Sequence, residues 1–233
     1  MPMNDFLNPD ADALAAVRHT LQGWRAEGRR QIHEADSKRV LAAMGLPLPA
    51  RGGVGLSVVK YCCDAAMHKS EQGLVHLSVP QDEVEVRVRA MQQRADDAGF
   101  AGGEVLVEDM VQGGLLEWFV GCRHDATFGP VVVVGAGGIY AELFGRAVIR
   151  LAPLDEAEAE AAIRAHKAFA VIDGARGKPR ADLAHFARTV ASVSQFYAGV
   201  SDLVAELDLN PVIVLPGGQD NSVVIADASI VLA

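Results

Sequence analysis

The carboxyl-terminal stretch "ELDLNPVIVLPGGQDNSVVIAD" constrains the fold more than any other part of the chain. Its two apolar runs, rich in β-branched residues, flank the turn-forming segment "PGGQDN", which predicts two strands around a turn. Glu206, Asp208 and Asn210 alternate along the first strand, so their side chains project from one face. A hairpin then brings Asp227, on the second strand, alongside Asn210. This part of the chain is therefore expected to form antiparallel sheet with polar groups on one face.

These polar side chains suit a magnesium ion. Mg2+ prefers oxygen ligands and is usually held by one or two carboxylates together with the phosphate oxygens of a substrate. Glu206, Asp208, Asn210 and Asp227 offer oxygen ligands of this kind on two neighbouring strands. The alternative interpretation is an acidic strand end in which the Asn-Pro pair only starts the next strand. The pattern alone leaves both interpretations open.

The rest of the chain mixes short strands with helices. Apolar residues at helical spacing predict helices over residues 11–28, 34–44, 81–98, 153–169 and 182–200. Strand patterns cover residues 56–62, 73–79, 104–111, 115–123 and 129–138. The turn at Gly113–Gly114 favours antiparallel pairing of the strand before it with the strand after it. Short strands interspersed with helices indicate an α+β fold with more than one sheet.

Composition and charge narrow the class of protein. The 233 residues are enough for one large domain or two small intertwined ones. A net charge of −9 argues against a surface that binds polyanions, so no nucleic-acid partner is expected. No apolar run approaches the roughly 20 residues that cross a bilayer, and no signal peptide is visible. Cys62, Cys63 and Cys122 are odd in number and indicate reduced thiols in a cytoplasmic protein without a membrane partner.

Three further features each have a structural and a functional interpretation. Lys60 ends an apolar run, where it either extends to solvent or supplies a fixed charge for a nucleotide phosphate. The glycine-rich "GAGG" at 135–138 and Arg176 in "DGARGKP" are phosphate contacts or ordinary loop features. His68, in "AAMHKSEQG", is a loop residue, a phosphate clamp or a group that itself takes up a phosphoryl group.

Several motifs in order along the chain resemble one known family. They are "HKSEQGLVHLSV", "GGLLEWFVGCRHDATFGPVVVVGAGGIYAELFGRAVIRLAPL", "DGARGKP" and "ELDLNPVIV" with "IADASIVL". They resemble the ATP-grasp domain of NDP-forming acyl-CoA synthetases, from about Glu34 to the carboxyl terminus. This domain forms the β subunit of ADP-forming acetate–CoA ligases and is related to the succinyl-CoA synthetase β chain.

The resemblance implies an α+β ATP-grasp fold, in which two subdomains with mixed or antiparallel sheets grip ATP. The expected division is a helical extension over 1–33, a shortened first subdomain over 34–112 and a second subdomain over 113–233. The implied reaction interconverts acyl-CoA, ADP and phosphate with free acid, CoA and ATP through an acyl phosphate and a phosphohistidine. A CoA-binding α subunit, in an α2β2 assembly, is the implied partner.

The resemblance also implies roles for individual residues. His68, in a phosphohistidine-type loop over 65–74, is expected to receive the phosphoryl group. Magnesium is expected on Asp208, Asn210 and Asp227. Glu108 and Met110 fall at the hinge that meets adenine. Contacts to ATP or ADP are expected from five residues: Lys60, Glu108, Met110, Glu117 and Arg176.

The sequence departs from the family pattern in its first part. Between "GLPLP" and "VVK" the family has another strand and helix, whereas only "ARGGVG" precedes "LSVVK" here. The loop after His68 reads "EQGL" where "DvGG" is usual. These departures motivate an alternative, a degenerate ATP-grasp module that binds nucleotide or a partner without ligase activity. The nucleotide half of a protein acetyltransferase is a third option, but the chain carries no acetyltransferase segment.

Overall fold

A computed structural model describes residues 10–53, 55–64, 73–219 and 221–233. Its helices are α1 (Ala11–Ala26), α2 (Glu34–Ala43), α3 (Val84–Asp97), α4 (Ala141–Phe144), α5 (Glu156–Ala165), α6 (Phe169–Ile172) and α7 (Leu183–Val200). Its strands are β1 (Gln31–Ile32), β2 (Ser57–Cys62), β3 (Val75–Val79), β4 (Glu104–Asp109), β5 (Leu116–Asp125), β6 (Gly129–Ala136), β7 (Val148–Leu151), β8 (Val204–Val214), β9 (Val223–Ile225) and β10 (Ala228–Leu232). In these ranges no helix combines the length and the apolar character needed to span a bilayer.

The strands form two antiparallel sheets, which confirms the predicted α+β class. The large sheet has seven strands in the order β1-β10-β8-β5-β6-β7, with β9 also paired to β8. The small sheet has three strands in the order β3-β2-β4. Both sheets contribute to the candidate site described below, and α2 packs against both of them.

One face of the large sheet is covered by helices and forms the main core. The apolar positions of α7 recur every three or four residues, and Asp182 caps the helix by accepting a hydrogen bond from the His185 N–H. Phe186 of α7 packs edge-on against Trp118 of β5, with ring centroids 5.1 Å apart, and both side chains are fully buried. The opposite face of the same strands carries the polar residues predicted for the site, because strand side chains alternate between faces.

The small sheet is likewise apolar on one face and polar on the other. Val59 and Tyr61 of β2 pack with Met91 and Ala95 of α3 in a separate apolar cluster. Lys60, between Val59 and Tyr61, therefore points to the other side of the sheet, toward α2. The first part of the chain thus contains a three-stranded sheet with one covering helix.

The amino-terminal elements pack on the large sheet and its helices. Arg18 of α1 makes two hydrogen bonds of 2.7 Å with the Asp202 carboxylate after α7, and β1 pairs with β10. Helix α2 touches both sheets, because Leu41 joins the main core while Ala35 packs with residues of β2 and β4. The subdomain boundaries at residues 33 and 112 stay a prediction.

Two predictions about local structure are wrong. β4 and β5 do not form a hairpin, because β4 pairs with β2 whereas β5 pairs with β6 and β8. The Gly113–Gly114 segment instead carries the chain from one sheet to the other, and alternation identifies a strand without specifying its neighbour. The helix expected over 153–169 is α5 alone, which ends at Ala165; the His166 ring accepts a hydrogen bond from the Ala168 N–H at 3.1 Å and starts a separate turn.

Candidate nucleotide and metal site

The predicted metal ligands meet on the open face of the large sheet. Two residue pairs of the antiparallel sheet, Leu209–Ala228 and Val212–Ile225, flank Asn210. Asp227 therefore lies across from Asn210. Asp208 follows on the same face of β8, two residues before Asn210. The structure therefore brings together the three side chains that the sequence placed on adjoining strands.

The open face is electrostatically prepared for a cation. Burial raises the pKa of Asp208 above its usual value, and the nearby Glu206 carboxylate raises it further. Asp227 lies between β9 and β10, and its Oδ1 accepts a hydrogen bond from the Ala228 N–H at 2.8 Å. Partly buried carboxylates that repel one another gain most from a bound cation.

A glycine-rich loop after β6 closes one end of this face. A Cβ on Gly137 would lie 3.1 Å from Asn210 Oδ1, and a Cβ on Gly138 would lie 2.3 Å from Glu117 Oε2. Gly138 also has a φ of +55°, which disfavours residues with a side chain. The backbone therefore approaches both predicted site residues closely, and at Gly138 its conformation favours glycine.

A cavity of about 430 Å3 adjoins Glu117 and this loop. Its walls come from the connection between the sheets, the glycine-rich loop and Ile213 of β8, and they are largely apolar. This volume is in the range of small-molecule sites, and a mainly apolar lining with few polar groups is typical of them. Glu117 is exposed and provides the carboxylate at the wall of the cavity.

Lys60 does not extend to solvent, so that interpretation is wrong. The residue is only 8% exposed, and its Nζ donates hydrogen bonds to Glu34 Oε1 and to the Ala226 carbonyl oxygen. Its Nζ also lies 4.0 Å from Asp227 Oδ2. Burial alone lowers the pKa of Lys60, but the carboxylates of Glu34 and Asp227 outweigh burial and raise the pKa above its usual value.

Sequence reasoning missed two charged residues of α2 beside Lys60. Glu34 and Lys38 are 1% and 0% exposed, and the Lys38 Nζ lies 2.9 Å from Glu34 Oε1. The available signal was their spacing, because Glu34, Lys38 and Leu41 follow the helical stripe that packs inward. Charged residues on such a stripe indicate a buried ion pair.

The predicted hinge residues lie at the end of β4 in the small sheet and just after it. Glu108 is 3% exposed, its Oε2 accepts a hydrogen bond from Lys38 Nζ, and its Oε1 has no hydrogen-bond partner among the described residues. Met110 is half-buried, and its Sδ accepts a hydrogen bond from the Ser78 hydroxyl at 3.3 Å. Their role toward adenine stays a prediction.

Within the described part of the chain, Arg176 makes no contact with the metal ligands. Arg176 is exposed in a short turn over 175–177 with a φ of +57°, and it makes no ion pair within the described part of the chain. His68 lies outside the described residues. The segment before it ends at Asp64, whose carboxylate accepts hydrogen bonds from Arg29 at 2.6 Å and from the His33 N–H at 3.0 Å. These contacts anchor Asp64, the last described residue before His68.

A second group of possible metal ligands already forms ion pairs with arginines. His33, Asp36 and Glu104 offer ligand atoms within 4.8 Å of one another. Arg39, however, pairs with both Asp36 and Glu104, and Arg29 pairs with Asp36 as well. Burial tends to raise the pKa of Asp36, but the hydrogen bonds from the two arginines outweigh it and lower that pKa. This group is an ion-pair network between α2 and β4.

Comparison with known proteins identifies the family of this chain. A profile for ATP-grasp domains matches residues 53–232. The chain is 30% identical to the acetate–CoA ligase [ADP-forming] II subunit beta of Pyrococcus furiosus, over 95% of this chain and 98% of that protein.

Solved structures agree with the sequence match. ACD1 of Candidatus Korarchaeum cryptofilum in complex with coenzyme A superposes with a TM-score of 0.80 at 28% identity, over 93% of this chain and 100% of that chain. The same organism's dinucleotide-forming acetyl-coenzyme A synthetase 1, with coenzyme A and Mg-AMPPCP, gives a TM-score of 0.77 at 27% identity over the same shares. In that structure the phosphohistidine segment points towards the nucleotide binding site. The chain belongs to the ATP-grasp family that includes the β subunits of ADP-forming acetate–CoA ligases.

Proposed function

We propose that this chain is the nucleotide-binding β subunit of an ADP-forming acid–CoA ligase. It binds Mg-ATP or Mg-ADP and passes a phosphoryl group through His68 to or from a CoA-binding α subunit. The observation that carries the proposal is the set of oxygen ligands on the open sheet face, with the Lys60 ammonium 4.0 Å from the Asp227 carboxylate. A polyphosphate with its cation matches carboxylates and an ammonium at that spacing.

The donor set fits magnesium. Asp208 and Asp227 supply carboxylate oxygens and Asn210 an amide oxygen, which are the hard ligands that Mg2+ prefers. The raised pKa of Asp208 reflects an unfavourable buried charge that a cation would relieve. When bound, Mg2+ neutralises negative charge on the phosphate oxygens.

The chain's own residues bind and orient the nucleotide. Lys60 supplies a fixed positive charge for a phosphate oxygen, and the backbone at Gly137 and Gly138 closes the site beside Asn210 and Glu117. The cavity next to Glu117 is of a size and lining suited to the base. Phosphoryl transfer needs mainly position and electrostatic stabilisation from the protein. On His68, an imidazole nitrogen forms the new bond to phosphorus as the bond from phosphorus to the ADP oxygen breaks.

The partner and its chemistry are part of the proposal. Relatives named as subunit beta imply that a second subunit completes the enzyme. We take that subunit to bind CoA and the acid, in an α2β2 assembly in the cytoplasm. The relatives named as subunits of acetate–CoA ligases favour this function over a module without ligase activity.

The test is the replacement His68→Asn in the complex with the α subunit. We expect Mg-ATP binding to persist and transfer of labelled phosphate from ATP to protein to be lost. His124→Asn, an exposed histidine at the end of β5, is the matched control and should transfer normally. Turnover that survives His68→Asn would remove His68 from the mechanism, and loss of transfer in both variants would point to a general defect.

A further inference from the structure

Two buried lysines in the site contact the same carboxylate and the same carbonyl oxygen. The Nζ of Lys38 and the Nζ of Lys60 each donate a hydrogen bond to the Ala226 carbonyl oxygen, and each lies within ion-pair distance of Glu34 Oε1. Lys38 makes its second hydrogen bond with Glu108 Oε2, whereas Lys60 makes its second with Glu34 Oε1. The Lys60 Nζ also lies 4.0 Å from Asp227 Oδ2, beside the candidate metal ligands.

The shared acceptors connect the phosphate side of the site with its metal side. Ala226 immediately precedes Asp227, the candidate metal ligand, and its carbonyl oxygen lies 2.9 Å from the Nζ of both lysines. Its N–H donates to the Pro211 carbonyl oxygen, next to Asn210 on β8, at 2.9 Å. The backbone that carries Asp227 is thus held from β8 on one side and from the two lysines on the other.

Helix α2 supplies the group that holds both ammonium ions in place. Glu34 lies between Lys38 and Lys60 and offers one carboxylate oxygen to both. The two ammonium charges are balanced by the carboxylates of Glu34 and Glu108. Without Glu34, two positive charges would share the backbone oxygen of Ala226, and mutual repulsion would separate them.

We propose that Glu34 and Lys38 are positioning residues that set the distance between the Lys60 ammonium and the Asp227 carboxylate, and so between a nucleotide's phosphate oxygens and its divalent cation. This inference rests on the proposed function. Glu34 and Lys38 do not touch the ligand; they act through Lys60 and through the Ala226 carbonyl. Their ligand class is a nucleoside di- or triphosphate carrying a divalent cation.

The inference predicts a change in the pH profile as well as in affinity. Among the described residues, four groups face Lys60: Glu34 and Lys38 of α2, Glu108 of β4 and Asp227 between β9 and β10. Glu34 is the carboxylate that contributes most to raising the Lys60 pKa against the effect of burial. In Glu34→Gln, Lys60 therefore loses its proton at lower pH, and affinity for ATP should start to fall at lower pH than in the wild type.

The experiment is titration calorimetry of the intact chain with Mg-ATP across the neutral to alkaline range. For Glu34→Gln we expect on the order of a tenfold loss of affinity, together with the displaced pH profile. Arg39→Met is the matched control, because Arg39 lies on the same helix but is exposed. It should bind Mg-ATP within about twofold of wild type.

The outcomes separate this inference from the proposed function. If the wild type does not bind Mg-ATP, the proposed function fails. If the wild type binds and Glu34→Gln binds equally well with the same pH profile, the positioning role fails. If Glu34 and Lys38 only stabilised the fold, Glu34→Gln would lower thermal stability without displacing the pH profile of binding.

A second variant and a second measurement distinguish a loss of positioning from misfolding. Glu34→Gln combined with Lys38→Met removes one charge of each sign and should fold while still binding Mg-ATP more weakly. In the wild-type chain, Mg-ATP should slow hydrogen exchange of the α2 amides, because the ligand locks Lys60 against Glu34. Unchanged exchange in α2 at saturating Mg-ATP would contradict the inference without any substitution.

Discussion

The two halves of the candidate site are built in opposite ways. On the large sheet, Asp208 and Asn210 alternate along one strand and face an open surface, so each is placed by local strand geometry. On the small sheet, Lys60 and Glu108 are buried against α2, where each depends on residues distant in sequence. The half on the large sheet, here called the metal half, can therefore change with little effect on folding. The half on the small sheet, here called the phosphate half, is part of the core. The following substitutions test that contrast.

The largest effect is expected for Lys38→Met. The substitution leaves the buried carboxylates of Glu34 and Glu108 with one counter-charge fewer. Removing one partner of a buried ion pair costs about 3–5 kcal/mol of unfolding free energy. Urea unfolding should detect this loss, while Arg39→Met on the exposed side of α2 should stay within about 0.5 kcal/mol of wild type. Equal stability of the two variants would contradict the claim that the phosphate half is part of the core.

On the metal half, Asn210→Ala and Asp227→Ala should change binding. Each removes an oxygen ligand, so Mg-dependent affinity for ATP should fall by at least about tenfold in calorimetry. Binding measured without Mg2+ should change little. Unaltered Mg2+ dependence in both variants would contradict the metal assignment.

Gly138→Ala should alter the glycine-rich loop after β6. The added methyl group would collide with the Glu117 carboxylate, and the positive φ of Gly138 disfavours alanine, so we expect a loss of about 1–2 kcal/mol in stability. Glu117 must also move, which should weaken nucleotide binding. Gly23→Ala is the control, because it lies inside α1 with no atom within 4 Å and should raise stability slightly. A neutral Gly138→Ala would show that the close approach is not required.

The smallest effect, and one of opposite sign, is expected for Asp208→Asn. Because the folded state raises the Asp208 pKa above its unfolded value, the charged form destabilises the unliganded protein. This cost is absent below the unfolded pKa and is complete once pH rises above the folded one. The variant should therefore unfold at a slightly higher temperature than wild type at neutral pH, with the difference vanishing in acid, while it binds Mg-ATP more weakly. A variant less stable than wild type at neutral pH would contradict the charge argument.

The same contrast explains how far the sequence could predict the site. The ligand strand was predictable because a period of two in Glu206, Asp208 and Asn210 fixes the face without knowledge of the neighbours. The role of α2 was not, because Glu34 and Lys38 look like an ordinary helical ion pair until the two sheets enclose them. The wrong pairing of β4 with β5 has a related cause, since the choice of partner strand depends on long-range packing.

Titration calorimetry of the intact chain with ATP, with and without Mg2+, tests the central claim most directly. The claim is that one site formed by both sheets holds a nucleotide phosphate on Lys60 and its cation on Asp208, Asn210 and Asp227. It predicts binding that is strengthened by Mg2+ and that loses this dependence in Asn210→Ala. Binding of equal strength with and without Mg2+, or no binding under either condition, would contradict it.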